Sequence, residues 1–336
     1  MKFADEIENG IFRIEVPLPG SPLKSINSYI VIGKEKNLMI DTGMNMDECI
    51  EAIKKGLEEI KVDLSKTDIF ITHMHADHSG LAVVLAREER VVYFNRKEIE
   101  MFLSFKGDYW ENVIAFMRRH GFPFDEAENA VYRHPGYKYI AKGYINLHPV
   151  EDGDVIDLGN FIFHCIQTPG HTPGHTCLYE PDKKIFFSGD HILYDITPNI
   201  SAWSDEEDFL GDYLKSLEKV ENIDVRLVLP GHRSPFKNYK EKIEELKTHH
   251  RNRLNEIIEI LKDGEKTAYE IASLMKWDID IKRWEDFPVL QKWFAVGEAV
   301  SHLQYLKKKN LIASEMKDGK IIFSLKIQTK DKLPAE

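Results

Sequence analysis

The stretch His73-Met74-His75-Ala76-Asp77-His78 places three imidazoles and a carboxylate within six consecutive residues. It follows the apolar run Ile69-Phe70-Ile71, whose pattern predicts a buried strand. A strand running into such a loop aims several nitrogen and oxygen donors at one point. Imidazole with carboxylate is the donor set suited to zinc and other first-row divalent metals. An exposed histidine-rich turn is the plainer reading of any one of these residues. Three histidines beside an aspartate, at the end of an apolar strand, favour a metal site.

Three further motifs follow predicted strands. Thr168-Pro169-Gly170-His171-Thr172-Pro173-Gly174-His175 sets His171 behind a Pro-Gly turn. Phe187-Ser188-Gly189-Asp190-His191 offers a carboxylate, and Val228-Leu229-Pro230-Gly231-His232 another imidazole. Taken singly, each reads as ordinary turn chemistry. Taken with His73–His78, they supply further donors to the same kind of centre.

His73, His75, Asp77, His78, His171, Asp190 and His232, in that order, resemble the ligand pattern of the metallo-β-lactamase superfamily, most of all its glyoxalase II-like hydrolase branch. The resemblance spans roughly residues 10–240. It implies an α+β fold, the αββα sandwich, with two mixed sheets, helices on the outer faces and a site along one edge. It also implies one metal held by His73, His75 and His171, a second held by Asp77, His78 and His232, and Asp190 bridging both. The expected cofactors are therefore two divalent metal ions, Zn2+ first, with Fe or Mn as alternatives. Asp41, in Met39-Ile40-Asp41-Thr42-Gly43, matches a motif that supports the metal loop; a turn or helix-capping role is the alternative. His175 and His191 are additional. His175 is expected to pack or hydrogen-bond beside the site, because His171 fills the matching position.

Two divalent cations that share a carboxylate can share a water and lower its pKa from near 16 towards ~7. The expected enzyme is a metal-dependent hydrolase whose metal-bridging hydroxide attacks a small thioester, ester or lactone, like a hydroxyacylglutathione hydrolase. Asp77 would also orient the hydroxide. A thiolate leaves without protonation, whereas an amine or alkoxide needs a proton. Tyr194, four residues after Asp190, is the candidate donor or oxyanion contact, with plain packing as its alternative and His191 as a competitor.

The elements that must position these donors read as a β-rich sheet with interleaved helices. Strands are expected at 11–18, 26–32, 38–40, 68–72 and 91–94, and again at 155–158, 161–167, 176–179, 185–187 and 225–229, with helices over 46–60, 81–87 and 206–220. Residues 96–144 form an insertion of short aromatic-rich helices. It reads as a lid or pocket wall, or as a small core of its own around Trp110, Phe116 and Phe122. The catalytic domain is expected over 1–245. Residues 246–336 are expected to form a helical linker and a winged-helix-like domain, with helices at 267–275 and 289–309 and then a hairpin through Lys317-Asp318-Gly319-Lys320.

The net charge of -11 argues against a chain built mainly to grip nucleic acid or an anionic membrane, and 43% hydrophobic content is that of an ordinary globular protein. Hydrolase fold plus appended module also resembles the lactamase-B2-like proteins, whose mitochondrial relatives are linked to single-strand RNA cleavage. A single-strand endoribonuclease is therefore the alternative function and RNA the alternative partner to a small-molecule substrate. Lys307-Lys308-Lys309 is a basic run, but lysines at a helix C-terminus also complement its dipole. The module is expected to pack on the hydrolase domain or against a second copy in a homodimer. A nucleic-acid-binding protein whose metal only stabilises the fold is a third reading. Three scattered cysteines, an N-terminal stretch without an apolar signal core and the lack of an apolar window of ~20 residues lead us to expect a cytoplasmic protein away from the membrane.

Overall fold

Short β-branched and aromatic runs, separated by amphipathic segments, build two mixed sheets. The computed structural model describes residues 2–104, 108–140, 143 and 145–326. Positions 105–107, 141–142 and 144 of the expected insertion, and 327–336 of the expected winged-helix-like domain, lie outside the described residues. The chain divides into two compact units. One comprises Met1–Ser104, Pro135–Pro198 and Glu218–Lys242; the other comprises Phe105–His134, Asn199–Leu217 and Ile243–Glu336.

In the first unit, β1 (Asp5–Glu8), β2 (Ile11–Pro17), β3 (Ser25–Val31), β4 (Asn37–Ile40), β5 (Thr67–Ile71), β6 (Val92–Asn95) and β7 (Leu147–Val150) lie side by side in that order. The strands from β1 to β4 pair antiparallel and those from β4 to β7 parallel. Parallel neighbours need crossovers. Here these contain α1 (Asp47–Glu59), then α2 (Ala76–Ser79) and α3 (Ala82–Leu85), then α4 (Arg96–Ser104) with later helices. Buried Cys49, Ile53, Gly56 and Leu57 recur on one face of α1, which packs on β2. The second sheet runs β12 (Leu227–Pro230), β11 (Ile185–Gly189), β10 (Thr176–Glu180), β9 (Ile162–Gln167), β8 (Val155–Asp157). Only its β11–β12 pair is parallel.

The inner faces of the two sheets share one core. Tyr29, Val31, Leu38, Ile40 and Phe70 from the first meet Ile156, Phe163, Cys165, Leu178, Phe187 and Leu229 from the second. This is the packed-sheet architecture expected from the resemblance. β5 is buried along its whole length, as its apolar run requires. The carboxyl ends of β4, β5 and β6 fall on one edge of their sheet and lead into Asp41, His73–His78 and Glu98. This is the edge where open α/β sheets place their ligands.

The second unit contains α5 (Tyr109–Arg119), α6 (Phe124–Arg133), α10 (Ala268–Leu274), α11 (Val289–Lys308) and the hairpin β13 (Ile312–Lys317)–β14 (Lys320–Leu325). The short helix α7 (Pro135–Lys138) belongs to the first unit, whereas α8 (Phe209–Glu221) and α9 (Tyr239–Leu261) run across unit boundaries. The division expected at 245/246 therefore falls inside α9, and residues 105–134 and 199–217 join the second unit. α11 explains the regrouping. Most of its residues from Lys292 to Leu306 are buried, so it needs neighbours on several sides. α6 and α10 supply two of them, and Phe122 sets its ring edge-on to Tyr269 and Trp293. Thr267 opens α10 with a reciprocal capping box to Glu270. Among the described residues no helix is long and apolar enough to cross a membrane.

Candidate metal centre

The seven donors named from the sequence come together at the strand-end edge of the first unit. His73 and His75 follow β5, Asp77 and His78 ride on α2, His171 lies between β9 and β10, Asp190 follows β11 and His232 follows β12. His73, His75 and His171 form one group and Asp77, His78 and His232 another; Asp190 joins His73 and His78, one imidazole from each.

His75 Nδ1 lies 3.0 Å from His73 Nε2 and 3.0 Å from His171 Nε2. Imidazole nitrogens approach this closely only with a proton or a cation between them. The spacing is near the ~3.3 Å edge of a tetrahedron built on ~2.0 Å metal–nitrogen bonds. In the other group, His232 Nε2 lies 3.3 Å from Asp77 Oδ2 and 3.4 Å from Asp190 Oδ2, while His78 Nε2 is 3.5 Å from Asp190 Oδ1. Asp190 Oδ2 is also 3.7 Å from His171 Nε2, so this carboxylate faces both groups. His78 Nε2, His232 Nε2 and Asp190 Oδ1 are buried without a hydrogen-bond partner. Orphaned donor atoms of this kind, pointed at one another, fit divalent cations.

The tautomers are set from behind. His78 Nδ1 is 2.7 Å from Asp41 Oδ2, so its N–H donates there and Nε2 is the nitrogen left to offer a lone pair inward once its own proton is displaced. His232 Nδ1 donates to the Ser25 carbonyl at 2.8 Å with the same result. The Thr72 hydroxyl donates to Asp41 Oδ2 at 2.8 Å and accepts from His73 Nδ1 at 3.0 Å, which leaves His73 Nε2 bare. Asp41 accepts the Thr72 N–H as well, from a left-handed backbone at φ +60°, a conformation that short polar side chains tolerate. Between the two sequence readings of Asp41, this geometry is that of a support to the metal loop.

His175 does not join the donors. Its Nε2 accepts the Asp190 N–H at 3.1 Å and its Nδ1 pairs with the Thr168 hydroxyl at 2.8 Å, which fixes the Asp190 backbone. His191 is buried, with its ring 6.1 Å from that of His175. Tyr194 stands apart: it is 43% exposed and stacks on Phe236 at 5.3 Å. Gly231 is needed where it is, because a Cβ there would meet Asp190 Oδ1 at 2.6 Å and His78 Cε1 at 2.8 Å.

Electrostatics divide the two groups. Burial and neighbouring imidazoles hold His73 and His75 well below the ordinary histidine range, in the neutral form that binds metal. Burial works the same way on His78 and His232, but adjacent carboxylates outweigh it. Asp41, Asp190 and Asp77 lift His78 well above its usual value, and Asp190 with Asp77 lifts His232 to about 10.

Glu98 was not visible as a site residue in the sequence. Fully buried at the start of α4, it accepts the Met74 N–H at 2.7 Å and the Gly174 N–H at 2.6 Å. Asn27 and Tyr29 on β3 were missed too. The Asn27 amide donates to the Pro230 and Arg233 carbonyls, and the Tyr29 hydroxyl donates to the Pro230 carbonyl, clamping the His232 loop to the first sheet. A buried acid in the first turn after a strand was the only available signal, and it does not name its partner.

A family model described as the metallo-beta-lactamase superfamily matches residues 22–232. The chain is 24% identical over 327 residues, 93% of itself and 97% of its relative, to a probable metallo-hydrolase, YqjP, of Bacillus subtilis. It is 31% identical over 242 residues, 68% of itself and 80% of its relative, to the human acyl-coenzyme A thioesterase MBLAC2. The crystal structure of the metallo-beta-lactamase family protein TTHA1429 from Thermus thermophilus shares the fold at a TM-score of 0.80 and 24% identity, covering 96% of this chain and 100% of that one. With the family pattern matched over that span and its seven donor positions gathered at one sheet edge, the chain belongs to the metallo-β-lactamase superfamily of hydrolases.

Proposed function

We propose that the chain hydrolyses a small thioester with two divalent metal ions, zinc first. One would be held by His73, His75 and His171, the other by Asp77, His78 and His232, with Asp190 shared. The single observation that carries this reading is the convergence of the two donor groups on either side of Asp190, with orphaned Nε2 atoms of His78 and His232 turned inward. When bound, such metals lower the pKa of water and polarise a carbonyl oxygen. The protein's own residues do the rest. Asp41, Thr72 and Ser25 hold the ring nitrogens in register, and His175 fixes the backbone of the shared carboxylate. Asp77, whose Oδ2 faces His232 Nε2 at 3.3 Å, would orient the nucleophile.

A thioester suits a site in which the proton donor named from the sequence does not stand among the metal-binding groups. Tyr194 stacks on Phe236 rather than on any of the donors, and a thiolate leaves without the proton that an amine or alkoxide requires. The human relative, an acyl-coenzyme A thioesterase, supports the same class. The single-strand endoribonuclease reading is weaker. α11, the helix before the hairpin, buries Lys292, Glu298, His302 and Gln304 within the second unit instead of presenting a polar face to a nucleic acid. The helix–helix–hairpin of that unit is proposed as a packing module.

The test is hydrolysis of an acyl-coenzyme A, an S-acylglutathione, a lactone and single-stranded RNA by the metal-loaded protein, alongside metal content. Thioester turnover that disappears in His75→Ala supports the reading. RNA cleavage lost in the same variant, with the thioesters untouched, would replace it with the endoribonuclease.

A further inference from the structure

Glu98 lies outside the donor set, yet its carboxylate joins two of the loops that carry it. Its Oε2 accepts the N–H of Met74, the residue between His73 and His75, at 2.7 Å. Its Oε1 accepts the N–H of Gly174, three residues after His171, at 2.6 Å. Both are short charge-assisted bonds. Both oxygens are therefore engaged by backbone donors. The side chain is wholly buried. Burial pushes its carboxyl up to about 7, although the two N–H groups favour the ionised form. The site is built tightly around it: a Cβ on Gly174 would meet Asn95 Oδ1 at 2.4 Å and Glu98 Cγ at 2.9 Å. Asn95 in turn caps the start of α4 through the Lys97 N–H at 2.9 Å, so the brace hangs from the end of β6.

We infer that Glu98 sets the distance between the His73–His75 loop and the His171 loop, and thereby the affinity of the three-histidine group for its metal. It is a positioning residue. His73 and His75 sit on one side of the brace and His171 on the other, and these are the three nitrogens that must meet within about 3 Å of one another. The Asp77, His78 and His232 group has separate supports in Asp41 and Ser25. A defect at Glu98 should therefore be felt at one cation and not at the other. The inference rests on the two-metal reading above.

The experiment is Glu98→Gln, which keeps the shape but turns one acceptor into a donor facing an N–H. Cobalt(II) titration by absorbance and zinc competition with a chromophoric chelator are run in two backgrounds. His232→Ala disables the second group and His171→Ala the first. The expected result is that Glu98→Gln weakens binding at least tenfold, the effect usual for a residue that orients metal ligands, in the His232→Ala background, and less than twofold in the His171→Ala background. Equal loss in both backgrounds, or none in either, overturns the inference. A merely structural role predicts the equal loss, accompanied by a lower metal-free Tm. Should the intact protein bind a single cation whose affinity ignores His171→Ala, the two-metal reading falls and this inference with it. If Glu98→Gln does not fold, hydrogen exchange on the metal-free wild type decides. Met74 and Gly174 amides protected like those of β5 and β10 support the brace, and exchange at open-chain rates sinks it.

Discussion

Asp41 Oδ2 and His78 Nδ1 are 2.7 Å apart although 37 positions separate the two residues in sequence. Both side chains are buried, and the same carboxylate also receives the Thr72 N–H and hydroxyl. One acid thus orients a ring from each candidate donor group: His78 directly, and His73 through the Thr72 hydroxyl. In Asp41→Asn the left-handed backbone is still tolerated, but one acceptor becomes a donor set against an N–H. We expect about 10–100-fold weaker zinc binding, greatest at the Asp77, His78 and His232 group. An unsatisfied buried group should also cost about 1–3 kcal/mol of metal-free stability. Chelator competition and denaturant melts measure the two effects separately.

Loading the metal-free protein should release protons. The carboxylates beside His78 and His232 keep both imidazoles protonated at neutral pH when no cation is present, with His232 raised to about 10. A cation binds only the neutral rings, so its arrival at pH 7.5 displaces their protons. Calorimetric titration in buffers of different ionisation enthalpy should report net proton release on loading. A binding heat that ignores the buffer would show that these rings are already neutral.

Gly231→Ala places a methyl against Asp190 Oδ1 and His78 Cε1. Asp190 or His78 must then shift, since both contacts are under 3.0 Å. We expect kcat to fall at least tenfold and stability to drop by about 1–3 kcal/mol, the usual cost of overpacking. Steady-state kinetics with a thioester substrate check the first figure, and unchanged turnover would mean that the shared carboxylate has room to spare.

The second unit should be acid-sensitive. His250 Nδ1 and His302 Nε2 are 3.0 Å apart in its interior, and His302 Nδ1 donates to the Glu298 carbonyl at 2.8 Å. Burial holds both rings neutral, pushing His302 down to about 3 and His250 well below its usual range. An unfolded histidine takes up a proton near pH 6.5, so the unfolded state binds more protons than the folded one between about 6.5 and 3. The stabilisation is therefore full above pH 6.5 and is lost progressively as pH falls through that window. Melts of wild type and His302→Leu between pH 7.5 and 4.5 test this: the variant should be less stable at neutral pH but show a shallower fall on acidification.

The sequence by itself named the candidate donors and their order. His73, His75, Asp77 and His78 lie within a single turn of chain after an apolar strand, so their convergence is local, and strand-then-glycine motifs flag His171, Asp190 and His232. Ten of the twelve strands in the two sheets were legible for the same reason, as apolar runs between turn signals, whereas β1 and β7, with few buried residues, were not. Tertiary structure decided what local pattern does not encode. Ser25 orients His232 across 207 positions, Glu98 braces Gly174 across 76, and Tyr194 turns to Phe236 despite its place four residues after Asp190. It also drew residues 105–134 to the C-terminal segment instead of to the sandwich, because α11 is apolar on too many sides to be covered by its sequence neighbours. Ligand types follow from residue chemistry, whereas tautomers, braces and unit boundaries follow from which buried group finds which partner once the chain has folded.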